Sequence, residues 1–175
     1  YNDMYKEDIN IYSLKLALED KLSPFYLFEA DCFFEKKCFN LIFDPKLFNK
    51  SVWFTNGLIK IGHYGGIIIS DTTGKVIDFK IISEYHNKYK KYNKLAGVLK
   101  VGKYEIEKFT SYLFKASNKT IKQYYHLPWI NNLHILDSVL CELGNLKIAG
   151  INTKSDYELA KKIFENSTFL EEKSD

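Results

Sequence analysis

An α/β fold is what this sequence predicts: a mixed, mostly parallel, Rossmann-like sheet flanked by helices, with a β-hairpin inserted. Three observations carry that expectation. A helical apolar stripe near the start is followed at once by a short apolar strand, two strands in the middle are joined by a tight turn, and the remainder is helix-rich with short strands between.

Asn10 is a helix-capping residue type, and Ile11, Leu14, Leu18 and Leu22 follow at helical spacing. Ser23-Pro24 ends that helix, because Pro cannot continue it and disfavours helical geometry just before itself. Phe25 to Ala30 is a nearly continuous apolar run of the kind found in buried parallel strands. Helix followed by strand is the second half of a βαβ unit, so a first strand is expected ahead of Tyr1.

Ser51 to Thr55 reads as a strand, with Asn56-Gly57 as a turn pair after it. Gly65 to Ser70 and Lys75 to Ile82 flank Asp71-Thr72-Thr73-Gly74, a hairpin signature. Ser83 to Lys94 is polar without apolar period and reads as a mobile loop, and Leu95 to Val101 as a strand ending at a Gly102 turn. Helices are expected at about 103–116, at Thr120 to Tyr125 and from Pro128-Trp129, with short strands at Val139-Leu140-Cys141 and Lys147 to Ile151. A last helix starts after Asn152-Thr153, packing through Tyr157, Leu159, Ala160, Ile163 and Phe164, and the tail from Glu171 to Asp175 is expected to fray.

Composition bounds the function. The 175 residues suit one domain, and 46% hydrophobic with 27% charged residues argues against wholesale disorder. A net charge of +3 with scattered lysines gives no nucleic-acid footprint, and no apolar run is long enough for a membrane span. Cys32, Cys38 and Cys141 lack paired spacing, which argues against disulfides and a zinc site and favours a cytoplasmic location. All 25 basic residues are lysine, so any phosphate here is handled by lysine, backbone amides, metal or a segment outside this sequence.

Asp31 follows the strand at Phe25 to Ala30, and ligands of open α/β sheets bind beyond the carboxyl ends of strands. It is either a turn or helix cap or a ligand for a divalent cation. In Gly150 to Asp156, Thr153 and Asp156 suit helix capping. Trp53, Tyr125, Trp129 and Asn131 are candidates to line a ligand pocket, the aromatics suiting a quaternary ammonium; the alternative is that both tryptophans are core. His63, His86, His126 and His134 show no ligand spacing, no nucleophile elbow exists, and Gly62 to Gly66 is a weak phosphate-loop candidate.

Asn10-Ile11-Tyr12-Ser13-Leu14-Lys15-Leu16-Ala17 with Phe25 to Asp31, and Ile151-Asn152-Thr153-Lys154-Ser155-Asp156-Tyr157-Glu158-Leu159-Ala160, resemble two motifs of one superfamily. It is the nucleotidyltransferases of the nucleotide-diphospho-sugar transferase fold, nearest the bacterial phosphocholine cytidylyltransferase type. The specific motifs cover about residues 9–32 and 148–164. The resemblance implies an Mg2+-dependent enzyme with Asp31 catalytic and Asp31 and Asn152 as metal ligands, Asn152 standing where the family has Asp. It implies transfer from a nucleoside triphosphate, CTP favoured, to a phosphorylated small molecule such as phosphocholine or a sugar phosphate, with pyrophosphate released, and it leaves a homodimer open. The family's opening Gly-rich loop with its Arg and Lys has no counterpart here, so residues 1–175 are expected to be a single domain short of its N-terminal nucleotide-binding segment. A non-catalytic ligand-binding or regulatory domain of the same fold is the alternative.

Overall fold

The computed structural model describes residues 10–19 and 22–171, with side chains up to residue 165. In chain order the elements are α1 (Asn10–Leu18), β1 (Phe25–Phe28), β2 (Cys32–Phe34), α2 (Cys38–Ile42), β3 (Val52–Leu58), β4 (Gly65–Ser70), β5 (Val76–Ile82), β6 (Asn93–Val101), α3 (Ile106–Lys119), α4 (Leu127–Ile130), β7 (Val139–Glu142), β8 (Ile148–Gly150) and α5 (Lys154–Glu171). Short 3-10 turns at Pro45–Leu47 and Asn87–Tyr89 complete them.

β6 organises the six-stranded mixed sheet. Along one edge it pairs over its length with β3, which pairs in turn with β7. Its other edge is shared by two strands placed end to end: β4 meets Asn93 and Lys94, whereas β1 meets Val98 to Val101. Between them Leu95 to Gly97 is left free of ladder partners on that edge, apart from a Glu29 N–H bond to the Gly97 carbonyl at 2.8 Å. The sheet is therefore split at that point. Opposite the split, the β3 register jumps between Trp53↔Leu99 and Thr55↔Leu95, so β6 carries two residues more than its partner. Gly97, at φ +74°, absorbs the excess in a conformation open to glycine.

Helices cover both faces, as expected, but the balance of strand directions differs. Only β3 and β7 run parallel; the other named pairs, β1 on β6 included, are antiparallel. The apolar run in β1 reports burial, and burial does not encode direction. Asn56-Gly57 is not a turn: β3 continues through it, with Gly57 at φ +70°. Pairing with β6 at Thr55 and again at Leu58 carries the strand across an irregularity in register at this pair.

One face of the sheet packs Trp53, Phe79 and Leu99 against α1, α3 and α4, with Ile11, Leu14, Phe109, Leu113 and Trp129 filling the layer. The opposite face sets Val52, Phe54 and Val98 against Cys38 and Ile42 of α2. Leu22 lies outside α1 and is exposed, so the helical stripe stops at Leu18. The hairpin turn is as the sequence suggests: Asp71 Oδ1 accepts the Thr73 and Lys75 N–H groups and the Thr73 hydroxyl, and Gly74 has φ +84°. The segment expected to be a mobile loop packs Tyr85, Tyr89 and Tyr92 on Ile59, Ile67 and Ile82. Thr120 to Tyr125 is turns rather than helix. In α5 Ala160 is buried, whereas Tyr157 and Leu159 are exposed, so the packing face is narrower than expected. Residues 172–175 of the tail lie outside the described residues. Among the described residues no helix is long and apolar enough to cross a membrane.

Gly102, just after β6, is pinned against a neighbouring backbone. Its N–H donates to Ser51 Oγ at 2.9 Å, and a Cβ there would sit 2.4 Å from the Asn49 carbonyl oxygen. Backbone cannot swing aside as a side-chain tip can. Gly102→Ala is therefore expected to lower stability by about 1–3 kcal/mol, seen as a lower urea midpoint with an unchanged slope.

Candidate active site

A cleft of about 1810 Å3 opens at the split in the sheet. The β1 lip carries Glu29 and Asp31: the strand ends at Phe28, Glu29 follows with its N–H still bonded to the Gly97 carbonyl, and Ala30 and Asp31 form a turn on the cleft rim. The β4 lip carries Gly65 and Gly66, with Lys94 beside them on β6.

Asp31 meets the C-terminal motif through a small second sheet. β2 pairs antiparallel with β8, Cys32 opposite Gly150, and the Ile151 N–H continues the ladder to the Asp31 carbonyl at 2.7 Å. This backbone register places Asp31 beside residues 151–152, and both Asp31 and Asn152 line the cleft. The Asp31 carboxylate is exposed and, among the described residues, accepts no backbone N–H; its one polar contact is the Cys32 thiol at 3.8 Å. The capping alternative thus has no hydrogen bond to support it. Capping is done instead by Asp156, whose Oδ2 accepts the Asn152 and Thr153 N–H groups at 3.1 and 2.8 Å and the Thr153 hydroxyl at 2.9 Å. That network holds Asp156 below the usual carboxylate range.

Ligand atoms of Glu29, Asp31 and Cys32 lie within 4.8 Å of one another. Burial, reinforced by Glu29 and Asp31, pushes the Cys32 thiol up to about 12, so it stays protonated. This leaves the carboxylate oxygens of Glu29 and Asp31 as the hard donors of the group, at an open cleft that Asn152 also lines. Such a set fits Mg2+, which keeps most of its waters and takes only one or two carboxylates.

Glu29 and Lys94 line the cleft without being among the residues the sequence singles out. Tyr125 donates its hydroxyl to Glu29 Oε1 at 2.9 Å, and His126 Nε2 lies 3.9 Å from the same oxygen. Burial raises Glu29, and burial raises Tyr125 further still, so the phenol keeps its proton. Asn10 fixes this group from below, its Oδ1 accepting the Tyr125 N–H at 2.8 Å. The signal for Glu29 was present as the acidic interruption two residues before Asp31; nothing in a chain of 25 lysines singles out Lys94.

Of the residues expected to bind substrate, Tyr125 lines the cleft. Trp53 and Trp129 do not. They are 1% and 0% exposed and meet edge to face at 5.7 Å, one on β3 and the other on α4. Two large rings on facing elements gain more from mutual burial than from a solvent-exposed box. Asn131 is exposed at the end of α4 and is not part of the cleft lining.

His126 is buried among the rings of Tyr125, at 3.9 Å, and Trp53, at 5.6 Å. Burial, with a smaller push from Lys94, lowers its pKa from 6.5 to about 3. The unfolded chain then binds a proton that the folded chain refuses, so stability is lost as pH falls below about 6.5, and the loss ends near pH 3. Between pH 7 and 5 this one group removes about 2 kcal/mol. Urea midpoints at the two pH values measure it. Glu29 acts with the opposite sign as pH falls through its raised pKa, so the comparison is with His126→Phe, in which the dependence is expected to flatten.

Solved structures share this architecture. The CTP:phosphocholine cytidylyltransferase of Streptococcus pneumoniae superposes with a TM-score of 0.77 at 24% identity, over 93% of this chain and 67% of its own. The chain has the nucleotide-diphospho-sugar transferase fold. The inositol-1-phosphate CTP transferase of T. maritima follows at TM-score 0.63 and 18% identity, over 90% of this chain and 64% of its own. HddC of Yersinia pseudotuberculosis gives 0.61 and 15%, over 90% and 64%. The chain thus spans about two thirds of the length of each, between 64% and 67%. No protein-family model and no curated protein matches the sequence.

Proposed function

We propose that this chain serves nucleotidyl transfer, coupling a phosphorylated small molecule such as phosphocholine or a sugar phosphate to the α-phosphate of a nucleoside triphosphate, with CTP the favoured donor. The observation that carries the reading is the β2–β8 register, which sets Asp31 opposite Ile151, the residue before Asn152, with Asp31 and Asn152 both lining a cleft at the carboxyl end of β1. The neighbours described as CTP-using transferases support it at the level of fold.

In this reading a phosphate oxygen of the acceptor forms a bond to the α-phosphorus in line, the bond from that phosphorus to the bridging oxygen breaks, and pyrophosphate leaves with the electron pair. A dianionic acceptor phosphate needs no general base. Asp31 and Asn152 would hold Mg2+, which when bound offsets the charge gathering on the phosphates. Asn152 contributes an oxygen without charge, which leaves the carboxylate of Asp31 as the charged ligand. The Tyr125 hydrogen bond keeps the neighbouring Glu29 carboxylate oriented toward the cleft floor and Gly97, where a Cβ would sit 3.0 Å from Glu29 Oε2. The acceptor's organic part falls to Tyr64, Tyr124 and Tyr125, which line the cleft, rather than to the two tryptophans.

The test is Mg2+-dependent pyrophosphate release by the full-length gene product, with each of the four nucleoside triphosphates against phosphocholine and a panel of sugar phosphates. Release with CTP and one acceptor supports the proposal. Silence across the whole panel, with the ligands still bound, points to a non-catalytic binding domain instead.

A further inference from the structure

Of the described lysines only Lys94 lines the cleft. It sits on β6 opposite Ile67 of β4, at the lip facing Asp31 across the split. Its ammonium has three protons to donate, yet among the described residues its hydrogen bond is a single long one, 3.3 Å to the Leu95 carbonyl. None of the described carboxylates stands within ion-pair reach of it. Glu29, Cys32 and Asp31 act on it only at longer range, while burial lowers its pKa. A partly buried cation with two unused donors is a costly arrangement unless an anion completes it.

The surroundings leave room for that anion. Gly65 has φ +86°, and a Cβ there would lie 3.5 Å from Lys94 Nζ, so glycine keeps the lip low beside the amine. With no arginine in the chain, a compact phosphate entering the cleft meets one side-chain cation that is not a histidine. A point-charge ammonium suits the terminal oxygens of a phosphate monoester. The position also decides which phosphate. Lys94 belongs to the hairpin lip, beside β4 and near Tyr64, one of the residues assigned above to the acceptor, and it faces the β1 lip where Asp31 stands.

Resting on the nucleotidyl-transfer reading, we propose that Lys94 binds the phosphate of the acceptor, a phosphate monoester, and holds its attacking oxygen toward the Asp31 side of the cleft. The same ammonium offsets the repulsion that Glu29 and Asp31 exert on an arriving dianion.

Calorimetry on the full-length protein tests this with inorganic phosphate, phosphocholine and glucose 1-phosphate beside choline and glucose. In Lys94→Met each phosphate-bearing probe that the wild type binds is expected to weaken about ten- to a hundredfold, and the phosphate-free probes to stay as they were. Lys94→Arg restores most of the affinity, and Lys94→Gln provides the same reading should Lys94→Met not fold. In turnover the acceptor KM rises by the same factor and the KM of the nucleoside triphosphate does not. Unchanged phosphate affinity in Lys94→Met overturns the assignment, as does a wild type that binds no monoester or a KM rise confined to the nucleoside triphosphate. A wild type that binds monoesters through Lys94 but never releases pyrophosphate sinks the transfer reading and leaves the phosphate site standing.

Discussion

Asp31→Ala is expected to slow pyrophosphate release by about a hundred- to a thousandfold, the cost of removing one preorganised charge from a phosphoryl-transfer centre. The reasoning starts from what this carboxylate does not do. It caps no helix, and within the described residues its hydrogen-bonding is limited to a thiol at 3.8 Å. A side chain so lightly held contributes little to folding, so the substitution should move the urea midpoint by less than about 1 kcal/mol, the scale of a lost cap. Asp31→Asn separates charge from shape: it keeps an oxygen donor, as Asn152 does, but leaves the pair with no charge. Its rate should fall nearly as far as that of Asp31→Ala, with partial recovery at high Mg2+. A folded Asp31→Ala protein with undiminished turnover would falsify the metal role and return this residue to the turn it occupies.

Much of this site was legible because it is local. The stripe from Ile11 to Leu18 gives a helix, the apolar run after Pro24 gives a strand, and a carboxylate just past the strand end points to a cleft. The motif at residues 151–160 likewise opens α5 with Asp156 as its cap. What the sequence could not carry was pairing. That β1 runs antiparallel to β6, and that β4 takes over the same edge where β1 stops, depends on pairs about seventy and about twenty-six positions apart in the chain. The cleft is a product of that handover, and with it the meeting of Glu29, Tyr125 and Lys94. Asn56-Gly57 shows the same limit from the other side, a strong local turn signal overruled by pairing with β6 at Thr55 and again at Leu58.

The tryptophans offer the second large effect, and a direct choice between two uses of an aromatic ring. Trp129 is fully buried, perpendicular to Trp53 at 5.7 Å and tilted against Phe109 at 5.2 Å. Trp129→Ala should cost about 3–5 kcal/mol, enough to leave a domain of ordinary stability barely folded. The informative variant is therefore Trp129→Phe. Its smaller ring leaves a gap, but among the described residues the indole Nε1 has no hydrogen-bond partner, and removing a buried unsatisfied donor recovers part of the loss. The net cost should be about 1–2 kcal/mol, read as a melting temperature lower by a few degrees. The acceptor KM should not move, because the ring never touches the cleft. An aromatic box would give the reverse pattern, with stability held and KM raised. Measuring both quantities on one variant decides whether Trp129 holds the sheet to α4 or holds a substrate.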